Sequence, residues 1–97
     1  MLVLVSYDVA TASPDGAKRL RRVAKICQNY GQRVQYSVFE CKLAPDQWVE
    51  CKSQLLNTVD LGIDSLRFYF LGSKWHSKVE HFGAKSVPDF ESDSLII

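Results

Sequence analysis

Leu2-Val3-Leu4-Val5-Ser6-Tyr7-Asp8-Val9 is the stretch that decides the fold. Apolar residues fill both alternating sets of its early positions, which suits a central strand covered by other elements better than an edge strand. After it, the small residues Ala10-Thr11-Ala12-Ser13 lead into a helix. Ser13 is expected as its N-cap, Pro14 as its first residue and Asp15 as a favourable charge for the helix dipole. The helix should run to about Tyr30 and stop at Gly31 in the left-handed conformation. Ala17, Leu20, Val23, Ala24 and Cys27 share one face, while Lys18, Arg19, Arg21, Arg22 and Lys25 occupy the rest.

Further along, Arg33 to Leu43 alternates apolar and polar residues over more length than one ordinary strand. Two short strands are expected there, with one strand broken by a bulge near Tyr36-Ser37 as the alternative. Pro45 opens a second helix on which Trp48, Cys51, Leu55 and Val59 line up, ending near Asp60-Leu61-Gly62. Asp64 to Leu71 is expected as a strand with Leu66, Phe68 and Phe70 on one side and Arg67, Tyr69 and Leu71 on the other. The order βαββαβ predicts an α+β, ferredoxin-like sandwich: an antiparallel sheet with both helices on one face. Residues 73–97 are expected as a tail that adds an extra C-terminal strand through Leu95-Ile96-Ile97, to this chain or to a partner.

The chain has 97 residues, 46% hydrophobic and 24% charged, which fits one soluble domain over residues 1–97. A chain this short exposes much of its surface and often gains from self-association. No apolar run reaches the roughly 18 residues of a membrane span, and residues 1–5 lack a charged leader, so no membrane partner and a cytoplasmic location are expected. Cys27, Cys41 and Cys51 make an odd count without metal-ligand spacing and are expected as buried thiols. The net charge is +1, but its distribution is polarised. Residues 14–33 carry Lys18, Arg19, Arg21, Arg22, Lys25 and Arg33 against Asp15 alone. Residues 40–66 carry Glu40, Asp46, Glu50, Asp60 and Asp64 against Lys42 and Lys52.

Asp8 is the first candidate for chemistry. An aspartate ending a buried strand is commonly a turn residue. Read as a ligand, it would hold Mg²⁺ or Mn²⁺, which prefer oxygen donors and keep several waters. One carboxylate makes a poor site, and a two-fold homodimer placing Asp8 opposite its own copy would supply two. The basic helix face is the second candidate. Such faces are usually plain solvation, but cations without acidic partners at i+4 also fit the phosphate backbone of a nucleic acid. Together the two features suggest metal-assisted chemistry on a phosphodiester. Ser37 has no general base attached by sequence, so a serine nucleophile has no support. His76 and His81 have neither zinc-pair nor triad spacing and are expected on the surface.

Four stretches, taken in order, resemble the CRISPR-associated Cas-two (Cas2) family: Leu4-Val5-Ser6-Tyr7-Asp8, Arg19-Leu20-Arg21-Arg22-Val23, Arg33-Val34-Gln35-Tyr36-Ser37-Val38-Phe39-Glu40 and Ser65-Leu66-Arg67-Phe68-Tyr69-Phe70-Leu71. Val79-Glu80-His81-Phe82-Gly83 looks like the variant associated with the C subtype of type I systems. The resemblance implies a ferredoxin-like homodimer that acts in spacer acquisition beside the Cas-one integrase. It also implies a Mg²⁺-dependent endonuclease on single-stranded RNA or double-stranded DNA in some members, and a scaffold in others. Carried over by position, Asp8 would be the metal ligand with Tyr7 beside it, Ser37 and Phe39 would shape the site, and Arg19, Arg22 and Arg33 would meet phosphates, with Arg21 on the same basic helix. Members often have Gly-Pro before the last apolar strand, where this chain has Ser92-Asp93-Ser94.

The main competing expectation is a non-catalytic DNA-binding scaffold that uses the same basic surface while the Cas-one integrase does the chemistry. An amino-acid-binding regulatory domain gives no reason for the cation cluster. An RNA-recognition motif needs an RNP1-like run, which the sequence lacks.

Overall fold

The computed structural model describes residues 1–72 and 78–84. Its elements are β1 (Leu2–Asp8), α1 (Gly16–Tyr30), β2 (Gln32–Gln35), β3 (Val38–Lys42), α2 (Pro45–Thr58), β4 (Ser65–Leu71) and β5 (Lys78–Gly83). The strands form one antiparallel sheet in the order β2-β3-β1-β4-β5. The first four strands have the ferredoxin-like arrangement expected from the βαββαβ order, and β1 is central as its apolar run requires.

Alternation along β1 sets the two faces of the sheet. Val3, Val5 and Tyr7 are buried in the core with Val23 and Cys27 of α1, Trp48, Cys51 and Leu55 of α2, and Leu66 and Phe68 of β4. Leu2, Leu4, Ser6 and Asp8 belong to the opposite, outer face, where Leu4 is nonetheless buried. Trp48 meets Phe68 and Phe70 edge-on, at centroid distances of 4.8 and 5.5 Å. These T-shaped contacts lock α2 over β4. All three cysteines are fully buried free thiols, as expected.

The ends of α1 differ from the sequence expectation. The cap position is Asp15, which is left-handed (φ 64°) and makes no side-chain cap hydrogen bond. Ser13 instead closes a turn: its hydroxyl donates to the Ala10 carbonyl (2.7 Å), and its own carbonyl accepts from Gly16 N–H (3.0 Å). Gly31 is extended (φ −161°, ψ −160°), not left-handed. It is needed for space, because a Cβ there would press on the Glu40 carbonyl oxygen and sit 2.5 Å from Cys41 Sγ. Ala17 is exposed, whereas Ile26 and Tyr30 pack against the core.

Pro45 opens α2 as expected, and Gln47 Oε1 accepts the Ala44 N–H (2.9 Å). Residues 32–42 form two short strands, with a register shift between Arg33 and Gln35 in addition. The expectation of two short strands therefore holds and the alternative of a single strand broken near Tyr36-Ser37 does not: residues 36–37 are the turn, and the irregularity lies within β2. Within the tail, the described strand is β5, which pairs along β4 of its own chain. Glu80 opposes Phe68 and so faces the helices, where Lys52 Nζ of α2 bonds it at 3.0 Å. Lys52 also lies 5.1 Å from the Phe82 ring centroid. Leu95-Ile96-Ile97 and His76 lie outside the described residues. No helix is long and apolar enough to cross a membrane among the described residues.

Candidate functional site

Asp8 ends β1 as an exposed residue of the outer sheet face, opposite Ser65 of β4. On the other side of β1, the pairing of Ser6 with Val38 brings the β2–β3 turn alongside. The Ser37 carbonyl there accepts the Tyr7 N–H at 3.1 Å. The Tyr7 ring is buried and stacks on Phe39 (6.2 Å between centroids, 23° between planes). Arg33 pairs across the hairpin with Phe39, and its guanidinium carbon lies 5.0 Å from that ring. Burial raises the Tyr7 phenol above its ordinary value, partly offset by a hydrogen bond in which the Arg33 guanidinium donates to the phenol oxygen, so the phenol is neutral at pH 7.

The fold thus gathers Tyr7, Asp8, Arg33, Ser37 and Phe39 at one end of the sheet. Phe39 is fully buried and serves as a floor under Tyr7 and Arg33, out of reach of a substrate. Among the described residues no group of three or more His, Cys, Asp or Glu side chains could hold a metal ion. A cation at Asp8 would therefore complete its shell with water or with a second copy of the chain.

Arg19 departs from its expected role. Its Nε donates to Asp64 Oδ2 at 2.8 Å, and its Nη2 reaches Asp64 Oδ1 at 3.3 Å and Ser13 Oγ at 3.0 Å. Nη1 is 3.3 Å from the Pro14 carbonyl. This guanidinium is turned inward on a carboxylate and two turn residues, which removes the support for Arg19 as a phosphate contact. Asp64 is 0% exposed and also accepts N–H bonds from Ala10 (2.9 Å) and Asp60 (2.9 Å). Burial alone would raise its carboxyl, but the bonds from Arg19, Asp60 and Ala10 hold it below the ordinary carboxylate value.

Lys18, Arg21, Arg22 and Lys25 are all exposed. Lys18 and Arg22 line a shallow cleft of about 290 Å³ with Asp15, Arg19, Thr58, Val59 and Asp60. These cations belong to the solvent side of α1, whereas Asp8 belongs to the outer sheet face. The expectation that the carboxylate stands beside the positive patch is revised accordingly: the two surfaces lie on opposite sides of the sheet.

Sequence reasoning missed three features. Asp64 looked like the first residue of β4, and only its place before the apolar run Leu66–Leu71 hinted at an anchoring role. His81, expected on the surface, pairs in register with Arg67 on the outer face. Both of its ring nitrogens and Arg67 Nε are buried without a hydrogen-bond partner. Tyr36 is 91% exposed at the turn.

Comparison with known proteins gives consistent matches. Residues 1–79 match the family model of CRISPR associated protein Cas2. The chain is 62% identical over 96 residues to a CRISPR-associated endoribonuclease Cas2 of Chlorobaculum tepidum, covering 99% of this chain and 100% of that protein. It is 56% identical over 96 residues to a CRISPR-associated endonuclease Cas2 of Halalkalibacterium halodurans, covering 99% of each. The crystal structure of Streptococcus pyogenes Cas2 superposes with a TM-score of 0.69 at 56% identity, covering 77% of this chain and 90% of that one.

Proposed function

From the premise that this chain belongs to the CRISPR associated protein Cas2 family, we propose that it is an endonuclease cleaving phosphodiester bonds at the Asp8 end of its sheet. The observation that carries this reading is the exposed carboxylate of Asp8 on the outer face at the end of the central strand, beside the Ser37 turn, with the Tyr7–Arg33–Phe39 stack behind it on the helix-side face of the same sheet end. The names of the relatives, endoribonuclease and endonuclease, support the same chemistry.

Two copies of Asp8, brought together in a homodimer, would hold Mg²⁺ or Mn²⁺, which would activate water and neutralise charge on the phosphate. The remaining residues position the strand. Arg33, braced on Phe39, lies on the helix-side face of the same sheet end, where its exposed guanidinium would meet the backbone of a strand that runs past that end, and the neutral Tyr7 phenol helps fix the guanidinium. The Ser37 carbonyl, by accepting the Tyr7 N–H, sets where Asp8 leaves the sheet.

Asp8→Asn is expected to abolish metal-dependent cleavage of labelled RNA and DNA while leaving the mass in solution unchanged. Undiminished cleavage by that variant would overturn the reading.

A second reading is a DNA-binding scaffold for spacer acquisition with the Cas-one integrase. It is favoured by one observation: the exposed cations of α1 lie away from Asp8. On this reading spacer acquisition in cells survives Asp8→Asn, whereas on the first reading, taken alone, it is lost.

A further inference from the structure

We propose that Glu40 of each copy forms an ion pair with Arg67 and His81 of the other across a two-fold axis along β1, and that this pair aligns the two sheets. The inference rests on the homodimer of the nuclease reading above and deepens it by naming the side chains that set one Asp8 opposite the other.

Three nitrogen atoms of the outer sheet face are left over by the fold. Arg67 Nε and both ring nitrogens of His81 are buried without a hydrogen bond, and the two residues are neighbours in register across β4 and β5. Buried polar atoms are normally bonded, so three together mark a contact that the single chain does not make. Among the described strand residues of this face, the carboxylates are Asp8 and Glu40. Phe39 and Cys41 are core residues, which turns Glu40 to the outer side of β3, where it is half-buried. Within one chain β1 stands between Glu40 and Arg67, holding their strands two spacings, about 10 Å, apart. Asp8 is committed to its own copy by the nuclease reading, which leaves Glu40 of the partner subunit.

Sheet order and register bring that residue to the right place. Two sheets meeting face to face about an axis parallel to β1 set Asp8 opposite its own copy. They also lay β3 of each copy over β4 of the other, because β3 and β4 flank β1. An axis across the strands at Asp8 would overlap only the sheet ends. Leu4 is paired with both Glu40 and Tyr69, so Glu40 of the partner subunit comes down over Tyr69. Arg67 is paired with Ser6, one step of the alternation nearer the Asp8 end. Its guanidinium already leans the required way, with Nη1 3.4 Å from the Tyr69 hydroxyl. A carboxylate arriving there accepts from the guanidinium, and the neighbouring His81 carries an N–H in either neutral tautomer. The axis repeats the contact, so an ion pair stands on each side of the line on which the two copies of Asp8 meet.

The test is sedimentation equilibrium of wild type, Arg67→Glu, Glu40→Arg and an equimolar mixture of the two variants. In either variant alone like charges face each other on both sides of the axis, and the dimer dissociation constant should rise at least about tenfold. In the mixture both facing pairs again join opposite charges, so a heterodimer should form with nearly the wild-type constant. Mixing mends a contact between chains and leaves one within a chain broken. Wild-type constants in both single variants would overturn the proposal, as would a mixture no tighter than its components. If a charged variant fails to melt cooperatively, Arg67→Gln, Glu40→Gln and their double variant take its place: losses that do not add support the pair, and additive losses refute it. The readings fail separately. A wild type that stays monomeric removes the homodimer and the pair with it, whereas a dimer indifferent to these charges removes the pair and leaves the two-copy Asp8 site standing. Normal cleavage by Asp8→Asn removes the metal role and leaves the mixing result untouched.

Discussion

Asp64 is the residue on which the geometry near Asp8 depends most. One buried carboxylate receives Arg19 from α1, Ala10 from the loop after β1 and Asp60 from the loop after α2. Removing it leaves backbone donors without acceptors in a dry site. Asp64→Ala is expected to cost about 2–3 kcal/mol in urea unfolding, less than the roughly 3–5 of a fully buried pair, because Arg19 is near enough to the surface to regain water. The folded carboxyl is held below its unfolded value, so its contribution is complete above the unfolded pKa of about 4 and is lost as pH falls through the folded value. The stability gap between wild type and Asp64→Ala should therefore be constant from pH 6 to 8 and narrow in acid. The thiols show the opposite direction. Burial pushes Cys41 up to about 11 and Cys51 up to about 12, and raises Cys27 further. Alkylation by iodoacetamide at pH 7.5 should be negligible in the folded protein and follow the unfolding curve in urea. Rapid labelling of the native chain would contradict the packing of all three.

Among the elements, α1 carries two separable duties. Val23 and Cys27 anchor it in the core, and Arg19 ties its first turn to Asp64, so neutralising Arg19 confuses stability with binding. Arg21, Arg22 and Lys25 are exposed and can be changed to Gln together without touching that anchor. If they contact phosphates, the slope of log affinity against log salt should fall by about 0.7 per contact on a single strand and about 0.9 on a duplex. An unchanged slope would return this face to plain solvation. Periodicity showed that α1 has a buried and a basic side, and Pro45 with Trp48, Cys51 and Leu55 marked α2. Periodicity was silent on the ends, because caps are set by contacts: Gly31 is required by the approach of Glu40 and Cys41, and Ser13 is occupied with Ala10 and Arg19.

At the scale of the molecule, the outer sheet face is the surface on which a two-chain site would form, since it carries Asp8 with Leu2, Leu4 and Ser6. Ser6→Lys places a charge in the middle of that face without entering the core. If the proposed homodimer forms through this face, the variant should sediment as a monomer, lose metal-dependent cleavage and melt cooperatively at a temperature that no longer depends on protein concentration. A competent pair of Asp8 carboxylates should stand about 4–7 Å apart, the span that one hydrated ion bridges. Local periodicity and residues read in order were enough for the βαββαβ order, the central place of β1, the buried cysteines and the resemblance through Leu4–Asp8 and Arg33–Glu40. Tertiary packing alone made Arg19 serve Asp64, put Phe39 beneath Tyr7 and Arg33, paired β5 with β4 of its own chain and set the basic helix and Asp8 on opposite sides. Each of these depends on which residues, distant in the chain, are brought together once both helices pack on one face of the sheet.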